Sequence, residues 1–217
     1  MPEMTNGQPV RGPYMHSANG RKIYPFDPQA SEVNIDVVAH HLACNGRWNG
    51  ATQHKQFRSR IYFSVAEHSV LVARYLREEM NRPDLELEGL LHDAPEYLLS
   101  DMIRPIKHDP RVHPVYKPLE DKAEYAIAGR FNLVFPLPKE IKIADDAVCA
   151  AEARQIVPKS ELETWESKDL LHDDTLVAPY EIEMMNPFEA KMFFLDAYEE
   201  AIARRSKYAS LPFVAKL

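Results

Sequence analysis

The sequence predicts an all-α fold, an orthogonal bundle of helices. Apolar residues recur at intervals of three and four along most of the chain, which is the period of an amphipathic helix, whereas the alternation typical of strands is scarce. No internal repeat indicates a solenoid or a propeller. The 217 residues are 45% hydrophobic and 27% charged, which is enough apolar sequence for one core. We therefore expect a single helical domain over residues 34–217.

The regions outside regular helix are marked by proline and glycine. Residues 1–33 are rich in proline, glycine and asparagine, so we expect an irregular arm before a first helix at about 34–44. Residues 106–118 predict a second irregular stretch, followed by a helix to about residue 131. Segment 158–187 contains several prolines and follows neither a clear helical nor a clear strand pattern, so we assign it no particular secondary structure.

A last helix is expected in PFEAKMFFLDAYEEAIARR, from Pro187 to about Ser206. Its apolar residues recur at helical spacing, which predicts one buried face. The expected buried stripe consists of Phe188, Met192, Leu195 and Ile202.

Charge and cysteine usage exclude several classes of protein. A formal net charge of −7 opposes a surface for long nucleic acid, although a small phosphate ligand needs only a local cluster of cations. Cys44 and Cys149 lie in apolar helical stretches, and no apolar run reaches the roughly 18 residues needed to span a bilayer. The first residues lack the basic and then apolar layout of a secretion signal. We expect a cytoplasmic protein that binds no membrane.

Three segments carry candidate metal ligands. His68 lies in SVAEHSVLVARYL, where Ser64 and Glu67 form a capping box at the start of a helix. His92 and Asp93 end the apolar run LEGLLHD, which predicts a helix that carries both side chains about 100° apart. Pro95 interrupts the pattern just beyond them and predicts a kink.

Asp145 supplies a further carboxylate from a third predicted helix, which follows Pro138. The expected buried face of that helix consists of Ile141, Ala144, Val148 and Ala151. Imidazole nitrogen and carboxylate oxygen together suit divalent ions, and four protein ligands leave coordination positions for water and substrate. The sequence therefore predicts a hydrolytic metal site.

Other histidines are weaker candidates. His172 and Asp173 form a second His-Asp dipeptide, like His92 and Asp93. A proline follows soon after this second pair, and no later helix supplies a further carboxylate, so we expect a loop there. His40 and His41 lie in the first predicted helix and are expected to bind no metal.

The chain resembles the HD-domain metal-dependent phosphohydrolases over roughly residues 34–155. It is most similar to the compact branch that contains bacterial 5′-deoxynucleotidases and phage deoxynucleoside triphosphate hydrolases. The matching motifs are N-G-R-W at 45–48, A-E-H-S at 66–69, L-H-D-A-P-E at 91–96, D-M-I-R-P-I-K at 101–107 and K-I-A-D at 142–145. The resemblance implies an HD-domain bundle, a divalent ion (Mn, Co, Zn or Mg), a deoxynucleotide substrate with dATP as the first candidate, and a homo-oligomer.

The resemblance also implies roles for individual residues. His68, His92, Asp93 and Asp145 correspond to the metal ligands. Glu96 resembles the acid that positions or deprotonates the attacking water, and Asp101 resembles a supporting carboxylate that handles protons. The implied substrate contacts are Arg47 and Trp48, which close over sugar and base, Lys107 and Lys142 at the phosphate, and Pro105 near the nucleobase.

The residues themselves support part of this assignment. Glu96 lies one helical turn from Asp93, within reach of the same ion, although a solvated helix residue explains it too. Lys142 precedes Asp145 by three residues and so shares its helix face, but it could also be an ordinary surface lysine. Trp48 lies among turn residues, where an exposed ring could stack on a base or pack against the protein.

Two other functions remain open from the sequence. One is an HD phosphodiesterase that acts on cyclic nucleotides or alarmones, which would share the metal and differ in base and ribose contacts. The other is a helical module without catalysis, in which the histidines hold a structural ion or a nucleotide. Glu96 and the open coordination positions favour an enzyme, because structural sites are usually closed by protein ligands.

Overall fold

The computed structural model describes residues 11–162 and 176–209, together with the backbone of residues 4–5 and 8–9. Over these parts the chain is mostly helical, which confirms the predicted all-α bundle. The α-helices of the described residues are α1 (Ile35–Cys44), α2 (Val65–Glu78), α3 (Glu86–Leu90), α4 (Glu96–Leu99), α5 (Arg104–Lys107), α6 (His113–Phe131), α7 (Lys139–Gln155) and α8 (Pro187–Ala209).

Helix α2 lies at the centre and packs against α1, α3, α7 and α8. Its residues from Val65 to Ala73 are all buried, as expected for a helix that is surrounded by others. One hydrophobic cluster joins α2 to α1, α3 and α8, and a second joins it to α7 and residues 178–184. A side chain on the first turn of α2 is therefore held in place from both sides.

The start of α2 departs from the predicted capping box. Ser64 caps the helix as expected, and its Oγ accepts a hydrogen bond from the Glu67 N–H at 3.1 Å. Glu67 does not reach back to Ser64. Its buried carboxylate accepts instead from three backbone N–H groups of residues 183–185, at 2.8–3.0 Å. Glu67, which the sequence spacing assigned to a local cap, thus attaches residues 183–185 to the core.

The predicted helix that carries His92 and Asp93 is wrong at its end. Helix α3 stops at Leu90, and both residues lie in the turn that leads to Pro95, the N-cap of α4. Pro95 has no N–H to donate to the Leu91 carbonyl, and its ring would clash with that carbonyl in a continuous helix. The proline therefore ends the helix instead of kinking it.

The irregular stretch predicted at 106–118 is confirmed only for residues 108–112, and the helix predicted to end at about residue 131 is confirmed but begins earlier. The short helix α5 extends to Lys107, and α6 begins at His113. Pro114 lies in the first turn, where a helical N–H has no partner to lose. Pro118 is accommodated inside α6, so the prolines of this stretch did not prevent a helix.

Two other predicted helices are confirmed. Helix α1 has Asn34 as its N-cap, whose side chain accepts from two backbone N–H groups. Helix α7 begins directly after Pro138, and the predicted face of the helix is buried: Ile141, Ala144, Val148 and Ala151.

The buried stripe predicted for the last helix is wrong. Phe188 is 72% exposed, and Met192 and Ile202 also lie on the exposed side of α8. The helix buries Ala190, Phe194 and Ala201 instead, with Leu195 half-buried beside them. The helix is rich in apolar residues on more than one side, so periodicity alone could not select the face that meets α1 and α2.

The first 33 residues contain more structure than the predicted irregular arm. Strand β1 (Met4–Thr5) pairs antiparallel with β2 (Gln8–Pro9), and β3 (Met15–His16) pairs with β4 (Lys22–Ile23). Ile23 joins the core cluster of α1. The Ala18 N–H donates to His41 Nε2 at 3.1 Å, and His41 Nδ1 lies 3.1 Å from the Tyr97 carbonyl oxygen. Both ring nitrogens of His41 thus form hydrogen bonds that connect α1 to other parts of the structure.

Part of the remaining sequence lies outside the description. The loop predicted at His172 and Asp173 lies outside the described residues, as does the rest of 163–175. Residues 177–186 run without helix or strand along the core. Of the helices that are described, none is long and apolar enough to cross a membrane.

We predict that Phe194→Ala destabilises the protein by about 3–5 kcal/mol, because it removes a fully buried ring from the core. The matched control is Phe188→Ala on the same helix, which should change stability by no more than about 0.5 kcal/mol because the ring is already in solvent. Urea unfolding of both variants measures the difference. If Phe188→Ala lost more stability than Phe194→Ala, the assignment of the buried face of α8 would be contradicted.

Candidate metal centre

Four side chains from three parts of the bundle converge on one point. His68 comes from α2, His92 and Asp93 from the turn after α3, and Asp145 from α7. The Nε2 atoms of the two histidines lie 3.4 Å apart. His68 Nε2 lies 3.2 Å from Asp145 Oδ1 and 3.5 Å from Asp93 Oδ2, and His92 Nε2 lies 3.3 Å from Asp93 Oδ2. The four residues predicted as metal ligands are thus neighbours in space.

These separations match the edges of a coordination shell. Nitrogen and oxygen ligands lie about 2.1 Å from Zn²⁺, so neighbouring ligand atoms are about 3.4 Å apart in a tetrahedral shell and about 3.0 Å apart in an octahedral one. His92 Nε2 and Asp145 Oδ1 are 4.0 Å apart. Asp93 Oδ2 contacts the two histidines and Arg47, but Asp93 is not one of the residues whose ligand atoms all lie close together. His68, His92 and Asp145 offer ligand atoms that all lie within 4.8 Å of one another.

The hydrogen bonds of the two rings leave both Nε2 atoms as acceptors. His92 Nδ1 lies 2.7 Å from the Gly89 carbonyl oxygen, and His68 Nδ1 lies 2.5 Å from Glu152 Oε1. A carbonyl and an ionised carboxylate only accept, so the hydrogen of each neutral ring sits on Nδ1. The Nε2 lone pairs then face each other and two carboxylates, which is repulsive unless a cation lies between them. These residues therefore fit a divalent ion.

Without an ion, a proton on His68 can balance the same charges. Burial and the Arg47 charge lower the pKa of His68, but the carboxylates of Glu152 and Asp145 outweigh them and raise it to about 9. Burial acts to raise the pKa of Asp145, but the hydrogen bond and charge of His68 hold that pKa well below its ordinary value. Metal binding at Nε2 would displace this proton.

Glu96 and Asp101, the predicted catalytic carboxyls, lie beside the ligands. The Glu96 N–H donates to the Asp93 carbonyl oxygen at 3.0 Å, and Asn45 Nδ2 lies 3.4 Å from Glu96 Oε2. Burial raises the pKa of Glu96 well above its ordinary value, and the charges of Asp93 and Asp101 add to the effect. Burial also raises the pKa of Asp101. Both groups therefore hold protons more tightly than ordinary surface carboxyls do.

A cavity of about 270 Å³ opens beside the ligands. His92, Asp93 and Asp145 form its wall on the metal side, and Glu96 lies next to them. The remaining lining is mixed, with apolar and charged side chains. It comprises Pro95, Lys107, Glu120, Glu124, Leu137, Pro138, Lys139, Ile141 and Lys142.

Three lysines face this cavity, two of them predicted as phosphate contacts. Lys142 Nζ lies 2.9 Å from Asp145 Oδ2 and 2.6 Å from Asp146 Oδ1, and its side chain is 58% exposed. Lys107 Nζ lies 2.5 Å from Glu120 Oε1. Pro105, predicted to approach the nucleobase, is exposed on α5 and does not line the cavity.

Arg47 and Trp48 lie on the 3-10 turn Arg47–Gly50. Arg47 Nη1 lies 3.2 Å from Asp93 Oδ2, and its Nε lies 3.2 Å from Glu152 Oε2. Trp48 Nε1 donates to the same Glu152 oxygen at 2.7 Å. The predicted exposure of Trp48 is wrong, since the side chain is half-buried with its indole N–H on a buried carboxylate.

Glu152 and Cys149 belong to the site although the sequence analysis did not single them out. They follow Asp145 on α7 by seven and four residues, a helical spacing that places all three on one face and was the available signal. Cys149 Sγ lies 3.3 Å from Asp145 Oδ1 and 3.1 Å from Arg47 Nη2. His68, Cys149 and Glu152 form another cluster of possible ligands, but burial raises the pKa of the Cys149 thiol well above its ordinary value, so it stays protonated.

Comparison with known proteins places the chain in a family. It is 39% identical to the uncharacterized protein RCAP_rcc00048 of Rhodobacter capsulatus over 153 residues, which cover 67% of this chain and 74% of that protein. This chain belongs to the family of RCAP_rcc00048. It is also 27% identical to the uncharacterized protein YfdR of Escherichia coli over 143 residues, 66% of this chain and 72% of YfdR. No family model matches the chain.

We predict that the stability of this member of the RCAP_rcc00048 family, measured with a chelator present, falls as the pH rises from about 6.5 to about 9. The folded state raises the pKa of His68, so the stabilising proton is fully bound below about pH 6.5 and lost as the pH passes about 9. The loss is expected to be up to about 3 kcal/mol, since one pKa unit corresponds to about 1.4 kcal/mol.

Urea unfolding at a series of pH values measures this loss. Saturating Zn²⁺ serves as the control, because an ion on Nε2 leaves no proton there to dissociate, and the curve should become flatter. His68→Gln should likewise flatten the curve of the metal-free protein. A metal-free wild type with constant stability across this range would show that His68 is not held in its charged form.

Proposed function

We propose that this protein is a phosphohydrolase that depends on a divalent metal ion and removes 5′ phosphate groups from 2′-deoxynucleotides. The observation that carries the proposal is the convergence of the His68 and His92 Nε2 atoms, 3.4 Å apart, with two carboxylates beside an open cavity. A purely structural ion is usually enclosed by protein ligands. Here the ligands come from one side and the cavity lies on the other, which leaves room for water and substrate.

The ligand chemistry agrees with a hydrolytic ion. Two imidazoles and two carboxylates suit Mn²⁺, Co²⁺ or Zn²⁺, and Mg²⁺ is compatible with the carboxylates. Such an ion supplies Lewis acidity, which acidifies a water molecule and polarises a phosphoryl oxygen. His68, His92 and Asp145 are the residues whose ligand atoms lie close enough together to hold it. Asp93 would join them through its Oδ2, which lies 3.3 Å from His92 Nε2 and 3.5 Å from His68 Nε2.

The cations of the cavity support an anionic substrate. The chain is acidic overall, with a net charge of −7, yet Lys107, Lys139 and Lys142 face the same small cavity. Lys107 and Lys142 each have a carboxylate partner in this state. A phosphate can replace such a partner at little electrostatic cost, because one anion is exchanged for another.

Glu96 is the proposed proton acceptor. Its carboxyl lines the cavity next to His92 and Asp93, and burial raises its pKa well above the ordinary value. Without an ion this raised pKa keeps a proton on Glu96; the positive charge of a bound ion would lower the pKa, and the ionised carboxylate could then accept a proton from water. Asp101 contributes negative charge to the same environment, and the lysines stabilise the charge that develops on the phosphate.

The nucleotide part of the proposal depends on the resemblance to the compact HD-domain phosphohydrolases. Arg47 and Trp48 lie on a turn whose polar groups bind Asp93 and Glu152, and neither residue lines the cavity, so their contacts with sugar and base are proposed from the resemblance alone. The phage members of that branch that consume one purine deoxynucleotide make dATP the first substrate to test, with deoxynucleoside monophosphates beside it.

We predict that the purified protein releases phosphate, pyrophosphate or triphosphate from deoxynucleotides in the presence of Mn²⁺, Co²⁺, Zn²⁺ or Mg²⁺, and that a chelator abolishes the release. The panel should contain dNMPs, dNTPs and NTPs, with product analysis to identify the bond that is cut. Ribonucleotides are the matched control for the sugar. Cyclic nucleotides and alarmones test the phosphodiesterase alternative. Ion binding without turnover of any compound would instead support a module without catalysis.

We predict different defects for a ligand and for the base. Asp93→Ala should lose both the bound ion and activity, because it removes a ligand. Glu96→Gln should retain the ion but lower kcat by about 10²–10⁴-fold, because it removes the proton acceptor and preserves the shape of the side chain. Metal content and kcat are measured on the same preparations.

Glu199→Gln is the control for Glu96, since Glu199 is exposed on α8 and does not line the cavity. Its kcat should stay within about threefold of the wild type, because side chains away from the reacting atoms make small contributions. A fully active Glu96→Gln variant would remove Glu96 from the mechanism.

A further inference from the structure

The carboxylate of Glu152 has two oxygens with different partners. Oε1 lies 2.5 Å from Nδ1 of the ligand His68. Oε2 accepts from Trp48 Nε1 at 2.7 Å and from Arg47 Nε at 3.2 Å. The side chain is completely buried, so no water competes for either oxygen. One rigid group thus touches a metal ligand on one side and the Arg47–Gly50 turn on the other.

We propose that Glu152 is a positioning residue that couples occupancy of the metal site to the Arg47–Trp48 turn. The proposal rests on the proposed function in one respect: it assumes that the ion and the Arg47–Gly50 turn belong to the same site. It assigns a role to a residue that ligates no ion and does not line the cavity.

The coupling follows from the chemistry of imidazole. An ion on His68 Nε2 withdraws electron density from the ring, which makes the Nδ1 hydrogen a stronger donor to Glu152 Oε1. The charge available on Oε2 for Trp48 and Arg47 then changes, because the two oxygens share it. Linkage makes the effect reciprocal: if ion binding weakens the hydrogen bonds of the turn, then strengthening those bonds weakens ion binding by the same free energy.

The substitution Glu152→Gln removes the coupling while nearly preserving the shape of the side chain. The new amide has nearly the size of the carboxylate but only one acceptor oxygen, and its NH₂ group donates. If that oxygen accepts from His68, the NH₂ group faces the N–H donors of Trp48 and Arg47. If the amide is flipped, it faces the His68 Nδ1 hydrogen. No orientation satisfies both sides.

Zn²⁺ titration tests the proposal without nucleotide. The affinity is measured by calorimetry, and the turn is followed by the ¹H–¹⁵N signal of the Trp48 indole, assigned with Trp48→Phe. In the wild type we expect the indole signal to shift with the same midpoint as Zn²⁺ binding. In Glu152→Gln we expect Zn²⁺ affinity to fall by about 10–100-fold and the indole signal to stay in place even at saturation.

Glu86→Gln is the matched control, because Glu86 is another buried carboxylate with arginine partners, Arg77 and Arg204, remote from the ligands. It should lose stability but keep both the Zn²⁺ affinity and the indole response. The proposal is overturned if Glu152→Gln binds Zn²⁺ within about threefold of the wild type or keeps the indole response.

If Glu152→Gln does not fold, Trp48→Phe tests the coupling from the other side. It keeps the ring and Glu152 and removes one donor from Oε2, which makes the carboxylate a better acceptor for His68. We expect Zn²⁺ affinity to rise by about threefold or more, whereas an unchanged affinity overturns the proposal. These readouts need no hydrolysis, so an inactive protein with intact coupling would refute the proposed function alone.

Discussion

The structure depends on one electrostatic constraint: lone pairs on two histidine nitrogens and two carboxylates point at the same place. His68 Nε2 lies within 3.5 Å of His92 Nε2, Asp145 Oδ1 and Asp93 Oδ2, and its ring is completely buried. Such a cluster is costly unless a positive charge lies within it. A proton on His68 provides that charge when no ion is bound, and the same set of nitrogen and oxygen atoms would also accept a divalent ion.

The bundle is built so that this cluster cannot relax by moving apart. Glu67 and His68 are neighbours on the first turn of α2, and both are buried. The Glu67 carboxylate binds three backbone N–H groups of residues 183–185, while His68 faces the other ligands. Helix α2 is thus attached by polar groups in two directions and packed against four helices, which fixes the depth and rotation of His68. Buried polar groups with all their partners present favour one arrangement over its alternatives.

The sequence predicted those features that depend on local rules. The cap at Ser64, the start of α7 after Pro138 and the all-α class follow from short-range patterns, and His68, His92, Asp93 and Asp145 were recognisable from residue type and spacing. The buried face of α8 and the partners of Glu67 could not be predicted, because they depend on which distant elements cover them. The spacing of Glu152 from Asp145 indicated a shared helix face, but its role could not be predicted, because only contacts with residues about 100 positions earlier explain why this carboxylate is buried.

The conformation of the Arg47–Gly50 turn gives an independent reason to regard it as functional. Trp48 and Asn49 both adopt left-handed backbone angles, with φ of 57° and 51°. Asparagine tolerates this region, but a tryptophan there costs about 1–3 kcal/mol and persists only where its surroundings enforce it. Here the indole bond to Glu152 and the contacts of Arg47 with Asp93 and Glu152 enforce it. A relaxed turn would take Trp48 away from Glu152 and Arg47 away from Asp93, so the strained backbone and these buried polar contacts depend on each other.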